Sequence, residues 1–208
     1  MEDNEFLSER IKALEKSIRF FSNDSRVARE LWVAGSFLKN IGVAFVDNEL
    51  IAVDNDPPDV LYKEARFEIK EILDPGRKRH DEYRAELAKA HSARAPSELV
   101  ELFTPTDSSI AEVFYLCLNR MEKLHKYPIG IRACTDLLFY VNLHRVMDFV
   151  EEPFPDSKEM AKGGWRSVSF IKGRMSCCLF ANQSAPAFLR SAVGSIYHRN
   201  KAIKRRGT

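Results

Sequence analysis

Pro58-Asp59-Val60-Leu61-Tyr62-Lys63-Glu64-Ala65-Arg66-Phe67-Glu68-Ile69-Lys70-Glu71-Ile72-Leu73 is the stretch that decides the fold. Val60 to Tyr62 and Arg66 to Leu73 read as two extended runs around a polar turn at Lys63 to Ala65. Residues two apart on a strand share a face, so Glu68 and Lys70 project together while Phe67 and Ile69 point away. If the two runs pair antiparallel, Asp59 arrives near the level of Glu68, and two carboxylates converge with one ammonium.

On the N-terminal side, Leu50 to Val53 and Val43 to Val46 read as two further short strands, ended by the Asp54-to-Asp59 segment with its paired prolines. Before them, Asn23, Asp24 and Ser25 supply N-cap chemistry for a helix from Arg26 to about Asn40. Its expected inner face is Val27, Leu31, Ala34, Leu38 and Ile41, and Glu30 falls within that stripe. At the start of the chain Leu7, Ile11, Leu14, Ile18 and Phe21 form one stripe of a helix. It can dock on the same chain or on a second copy, which would make a homodimer.

On the C-terminal side, Asp74, Pro75 and Gly76 stop the long strand. Arg77 to about Ser92 reads as a highly charged helix, and Ser97 to Phe103 as a short one. TPTDSS, residues 104–109, caps an amphipathic helix from about Ile110 to Lys126. Asp136 opens DLLFYVNL, an unbroken apolar run expected as a central strand reached by a β-α-β crossover. Trp165 to Ile171 and Met175 to Ala181 flank Lys172-Gly173 as a hairpin, and Ser184 is expected to cap a last helix through about His198.

The chemistry concentrates at Asp59, Glu68 and Lys70. Two hard carboxylates suit Mg²⁺ or Mn²⁺, which neutralises a phosphate and acidifies a bound water, with the carbonyl of Ile69 as a further ligand. The Lys70 ammonium can favour hydroxide and offset charge in the transition state. Glu30 would be costly to bury unless it met such a cationic centre; a salt bridge to Arg26 or Arg29 is the plainer alternative. For Glu68 and Lys70 the plainer alternative is an ion pair on a solvated strand face.

Glu30, Pro58-Asp59 and Glu68-Ile69-Lys70, in this order, resemble the PD-(D/E)xK nuclease superfamily, whose core runs helix, three strands, helix, strand. The resemblance covers roughly residues 26 to 143. The whole chain is also similar to an uncharacterised bacterial family described as endonucleases on the strength of this motif. The resemblance implies an α/β, restriction-endonuclease-like mixed sheet flanked by helices, with an N-terminal helix over 1–25 and a C-terminal hairpin and helix over 144–208. The core is 26–143 with a helical appendage at 77–103. It further implies a metal-dependent endonuclease acting on nucleic acid, DNA favoured over RNA; a catalytically inactive binding module is the alternative.

Arg77, Lys78 and Arg79, with Arg84 further along the same helix, form the basic cluster expected to contact backbone phosphates. A second basic run holds Arg190, Arg199, Lys201, Lys204, Arg205 and Arg206. Across all 208 residues, 32 Lys and Arg against 30 Asp and Glu leave a net charge of only +2, so distribution and not balance carries the nucleic-acid reading. Four cysteines without CxxC spacing, an acidic start and no apolar run of membrane-spanning length point to a cytoplasmic protein. The five histidines and the cysteines show no zinc spacing, and GxGxxG, P-loop and nucleophile-elbow patterns are absent. Cys177 and Cys178 are expected as buried packing, and Trp165 as core.

Overall fold

A computed structural model describes residues 3–54, 57–101, 104–144, 146–150 and 154–199, the side chains of 147–150 excepted. In chain order the elements are α1 (Asp3–Phe20), α2 (Arg26–Asn40), β1 (Ile51–Ala52), β2 (Val60–Tyr62), β3 (Ala65–Leu73), α3 (Arg79–Ser92), β4 (Thr106–Ser109) and α4 (Ile110–Glu122). There follow α5 (Ile129–Arg132), β5 (Asp136–Asn142), β6 (Val146–Val150), α6 (Lys158–Lys162), β7 (Ser167–Lys172), β8 (Met175–Ala181), α7 (Ala187–Ser191) and β9 (Ile196–His198). Phe103, Lys201, Lys204, Arg205 and Arg206 lie outside the described residues.

The chain divides into two compact units, residues 1–29 with 75–105, and residues 30–74 with 106–208. In the first, α1 and α3 supply each other's cover. Leu7, Leu14 and Ala90 are buried, the Phe21 and Tyr83 rings stack at 5.6 Å, and Arg10 reaches Glu86 at 2.8 Å. The α1 stripe thus finds a partner within its own chain. Pro96–Leu99 forms a single 3-10 turn where a short helix at Ser97 to Phe103 was expected.

The second unit is a mixed α/β assembly built on a seven-stranded sheet of order β1-β2-β3-β5-β7-β8-β9. β3, β5 and β7 run parallel at its centre, and antiparallel pairs extend it on both sides. A separate pair, β4 with β6, is parallel; neither strand was expected. β5 is covered on both faces, as its unbroken apolar run requires. Leu137, Phe139 and Val141 face α4 through Ile110, Val113, Phe114, Cys117 and Met121. Leu138 faces the other way, toward α2 and α7, with Phe67, Phe37 and Leu189. α2, β1, β2, β3, α4 and β5 follow one another in the expected order of helix, three strands, helix, strand, with α3 and β4 interposed before α4 and α5 after it.

Four local expectations are corrected. The buried face of α2 is Val33, Ala34, Phe37, Leu38 and Ile41, while Val27 is half exposed, because the helix turns to seat Phe37 edge-on against Phe67. Val43 to Val46 forms no strand: Gly42 takes a positive φ of 78° and the Val43 amide donates back to the Leu38 carbonyl at 2.9 Å, closing the helix end as a Schellman-type turn. The helix predicted to Lys126 ends at Glu122, where Leu124 N–H donates to the Met121 carbonyl and tightens the chain into turns. The last helix starts at Ala187 behind Pro186, not from a Ser184 cap, and stops at Ser191. Gly194 at φ 73° reverses the chain, and residues 196–198 pair with β8 instead, so an open strand edge outweighed helical periodicity.

Candidate functional site

The β2-β3 hairpin is set by a two-residue turn, Lys63-Glu64, in which Lys63 adopts a left-handed conformation and Tyr62 pairs with Ala65. Val60 sits opposite Phe67. Beyond it the ladder continues through Asp59: its N–H donates to the Phe67 carbonyl at 2.9 Å, and its carboxylate Oδ2 accepts the Ile69 N–H at 2.7 Å. Pro58 has no N–H to extend the strand. The aspartate side chain therefore takes the place of the next backbone partner, which fixes it beside β3.

Strand alternation then aims Glu68 and Lys70 toward the α4 side, in register with Leu137 and Phe139 of β5. Glu68 is fully buried and Asp59 is 1 % exposed, whereas the Lys70 side chain keeps 16 % of its surface. The Lys70 ammonium forms an ion pair with Glu68 Oε1 and lies 3.8 Å from Asp59 Oδ2. One cation thus serves both carboxylates, the convergence expected from the pairing of the two runs.

Tyr127 completes the cluster. Its hydroxyl donates to Glu68 Oε1 at 2.6 Å, and Lys70 Nζ stands 5.8 Å from the centre of its ring. Glu68 Oε2, by contrast, is buried and has no hydrogen-bond partner among the described residues. Burial pushes the Glu68 carboxyl above the usual carboxylate range, against the lowering pull of Lys70 and Tyr127. Sequence reasoning missed Tyr127. It lies 59 positions from Glu68, in the turns that follow the early end of α4, and its packing edge-on against the buried Trp165 ring is the tertiary event that brings it in.

Glu30 lies half-buried on α2, the helix packed on the face of the sheet that carries Phe67 and Ile69. Glu68 and Lys70 project from the opposite face. In the other unit, Arg77 pairs with Glu82 at 2.7 Å, and Arg79 is buried with its guanidinium 3.5 Å over the Phe21 ring. Lys78 and Arg84 are exposed.

A second buried ionic group was also missed. Asp136 accepts from Arg66 N–H at 2.9 Å, Arg166 Nε at 3.0 Å and Ser167 Oγ at 2.8 Å, and also from Arg166 Nη2. Those donors leave it no vacant direction for a ligand, so it acts as a clasp joining β3, β5 and β7. Cys177 and Cys178 are buried in β8 as expected, and burial pushes the Cys178 thiol up to about 12.

Among the described residues no three His, Cys, Asp or Glu side chains are grouped so as to hold a metal ion. The ligands that Asp59 and Glu68 can offer are therefore two carboxylates, with the Ile69 carbonyl beside them in sequence. Such a set would suit Mg²⁺ or Mn²⁺, which need only one or two carboxylates, and Glu68 Oε2 is a buried acceptor without a hydrogen-bond partner among the described residues.

Fold and site define a mixed α/β protein whose hairpin edge buries a carboxylate, lysine and tyrosine cluster. The chain belongs to the family described as "Putative endonuclease, protein of unknown function (DUF1780)", which it matches over residues 2–205. It is similar to the solved structure of a protein of unknown function from Pseudomonas aeruginosa strain PAO1, designated a member of a monooxygenase superfamily. Identity is 29 % and the TM-score 0.66, over 95 % of this chain and 96 % of that one. No curated protein matches the chain. No helix among the described residues is long and apolar enough to cross a membrane.

Proposed function

We propose that this chain is a divalent-metal-dependent endonuclease of the PD-(D/E)xK kind, hydrolysing phosphodiester bonds in nucleic acid, DNA before RNA. The observation that carries the reading is the sharing of one ammonium by Asp59 and Glu68 across the β2-β3 hairpin. The order of α2, β1-β2-β3, α4 and β5 supports it, as does the endonuclease designation of the family.

Asp59 and Glu68, with the Ile69 carbonyl, would hold Mg²⁺ or Mn²⁺. A divalent ion bound there supplies a ligated water of lowered pKa and positive charge against the phosphate. Lys70 is the member of the trio that reaches the surface, so the scissile phosphate approaches from its side. Its ammonium has three N–H groups, one of them turned to Glu68 Oε1, and the others would serve the attacking water and a non-bridging oxygen and stabilise the negative charge that builds in the transition state. The Ile69 N–H holds Asp59 in place throughout. Within the other unit, Lys78 and Arg84 are the exposed members of the basic cluster and would carry any phosphate contact it makes, since Arg77 and Arg79 are engaged with Glu82 and Phe21. Glu30 is left outside the assignment because α2 packs on the other face.

A non-haem iron oxygenase is less well served by these residues. Non-haem iron oxygenases use three side-chain ligands, two histidines and a carboxylate, and no such group occurs among the described residues. A second reading, a non-cutting nucleic-acid binder, is favoured by one observation: Lys70 and Tyr127 already occupy Glu68 Oε1, as in a cluster kept only for packing.

The test is cleavage of labelled DNA and RNA, single and double stranded, with Mg²⁺, Mn²⁺ or EDTA, comparing wild type with Asp59→Ala and Lys70→Ala. Metal-dependent cutting lost in both variants is the expected result. Equal nucleic-acid binding by all three proteins with no cutting of any substrate sinks the nuclease reading in favour of the binder.

A further inference from the structure

We infer that Tyr127 is a positioning residue for the metal site, one that divides the two oxygens of Glu68 between the protein and the ion. The inference rests on the nuclease reading and names a residue that reading did not include. A carboxylate ligand free to rotate presents either oxygen to an ion. Glu68 is not free: Oε1 accepts the Tyr127 hydroxyl at 2.6 Å and the Lys70 ammonium, while Oε2 is buried and has no partner among the described residues. Leaving a buried acceptor unpaired is costly, and native structures retain such atoms chiefly where a water, an ion or a reaction uses them.

The tyrosine is itself held. It is 6 % exposed, its ring packs edge-on against Trp165 at a centroid distance of 5.6 Å, and Lys126 Nζ stands 4.8 Å from the ring centre. Its amide donates to the Leu124 carbonyl at 3.2 Å, within the turns after α4. A donor anchored in this way orients Glu68 from outside the β2-β3 hairpin, as hydrogen bonds from neighbouring side chains orient metal-binding carboxylates.

The experiment is calorimetric titration of the full chain with Mn²⁺ alone, for wild type, Tyr127→Phe, Glu68→Gln, the double variant and Trp165→Phe, with Asp59→Ala to identify the site. Phenylalanine keeps the ring against Trp165 and removes only the hydroxyl, and circular dichroism in EDTA checks that each variant is folded. Tyr127→Phe is expected to weaken Mn²⁺ about 10-fold or more, the range seen for outer hydrogen bonds of metal sites. In the Glu68→Gln background the same change is expected to add nothing, because Tyr127 acts through Glu68. Trp165→Phe, which leaves a smaller aromatic ring behind Tyr127 and spares the hydroxyl, is expected to weaken Mn²⁺ by less than Tyr127→Phe does, because the donor to Glu68 is loosened and not removed. If wild type binds Mn²⁺ at a site lost in Asp59→Ala yet Tyr127→Phe binds as tightly, the inference falls and the nuclease reading stands. Equal weakening by Trp165→Phe also overturns it, as a packing effect. If wild type has no site that Asp59→Ala removes, inference and nuclease reading fall together.

Discussion

Replacing Lys70 by methionine keeps most of the side-chain volume and removes one charge, which exposes the electrostatics of the cluster in isolation. Glu68 is fully buried, its Oε2 has no partner among the described residues, and after the substitution Oε1 retains only the Tyr127 hydroxyl. Breaking a buried ion pair by deleting one partner costs about 3–5 kcal/mol, because the remaining charge stays desolvated. The tyrosine bond to a charged acceptor, worth about 1.5–3 kcal/mol, survives and keeps the loss toward the lower end. Urea unfolding of the full chain in EDTA at neutral pH should therefore show Lys70→Met less stable by about 3 kcal/mol. Pairing it with Glu68→Leu removes the stranded charge, and the double variant should return to within about 1–2 kcal/mol of wild type. Were Lys70→Met to cost less than about 1 kcal/mol, the value of an exposed pair, the buried-pair reasoning would be refuted. A double variant as unstable as the single would equally refute the stranded-charge explanation.

Two further outcomes follow from the same physics. Asp136→Asn leaves Arg166 without its buried counter-charge and cannot accept from all of Arg66 N–H, Arg166 and Ser167, so urea unfolding should register a loss of about 3–5 kcal/mol. The capping box of α4 is sensitive to acid. Bonds from Ser108 and from the Ser109 N–H lower the Glu112 carboxyl below its ordinary range, so its contribution is present above the unfolded-state value and lost as pH falls through the lowered one. Thermal melting should find wild type ahead of Glu112→Gln near pH 6 and the gap closing toward pH 3; a gap independent of pH would contradict the cap.

The parts of the site that were legible in the sequence are those made by neighbours along the chain. Asp59, Glu68 and Lys70 meet through a single hairpin, so strand alternation and one turn suffice to bring them together. α2 was readable to its ends for the same reason, since polar residues precede it and Gly42 follows it. Its rotation was not readable. Val27 and Phe37 compete for the inner stripe, and only the ring of Phe67 on a strand yet to be placed decides between them. Glu30 depended on that same placement, because which face of the sheet a helix covers is a property of the crossover and not of the helix.

Sequence by itself determined the mixed α/β class, the β2-β3 hairpin with its convergent charges, and the buried β5. Each follows from local periodicity, turn chemistry and the apolar run that a strand covered on both faces demands. Tertiary structure alone decided that α1 and α3 cover each other, that 196–198 completes the sheet as β9, that Asp136 clasps Arg166, and that Tyr127 reaches Glu68. Those outcomes turn on which unpaired edges, buried charges and exposed rings are left once the local elements have formed. Residues far apart in the chain satisfy them, and no periodicity records that choice.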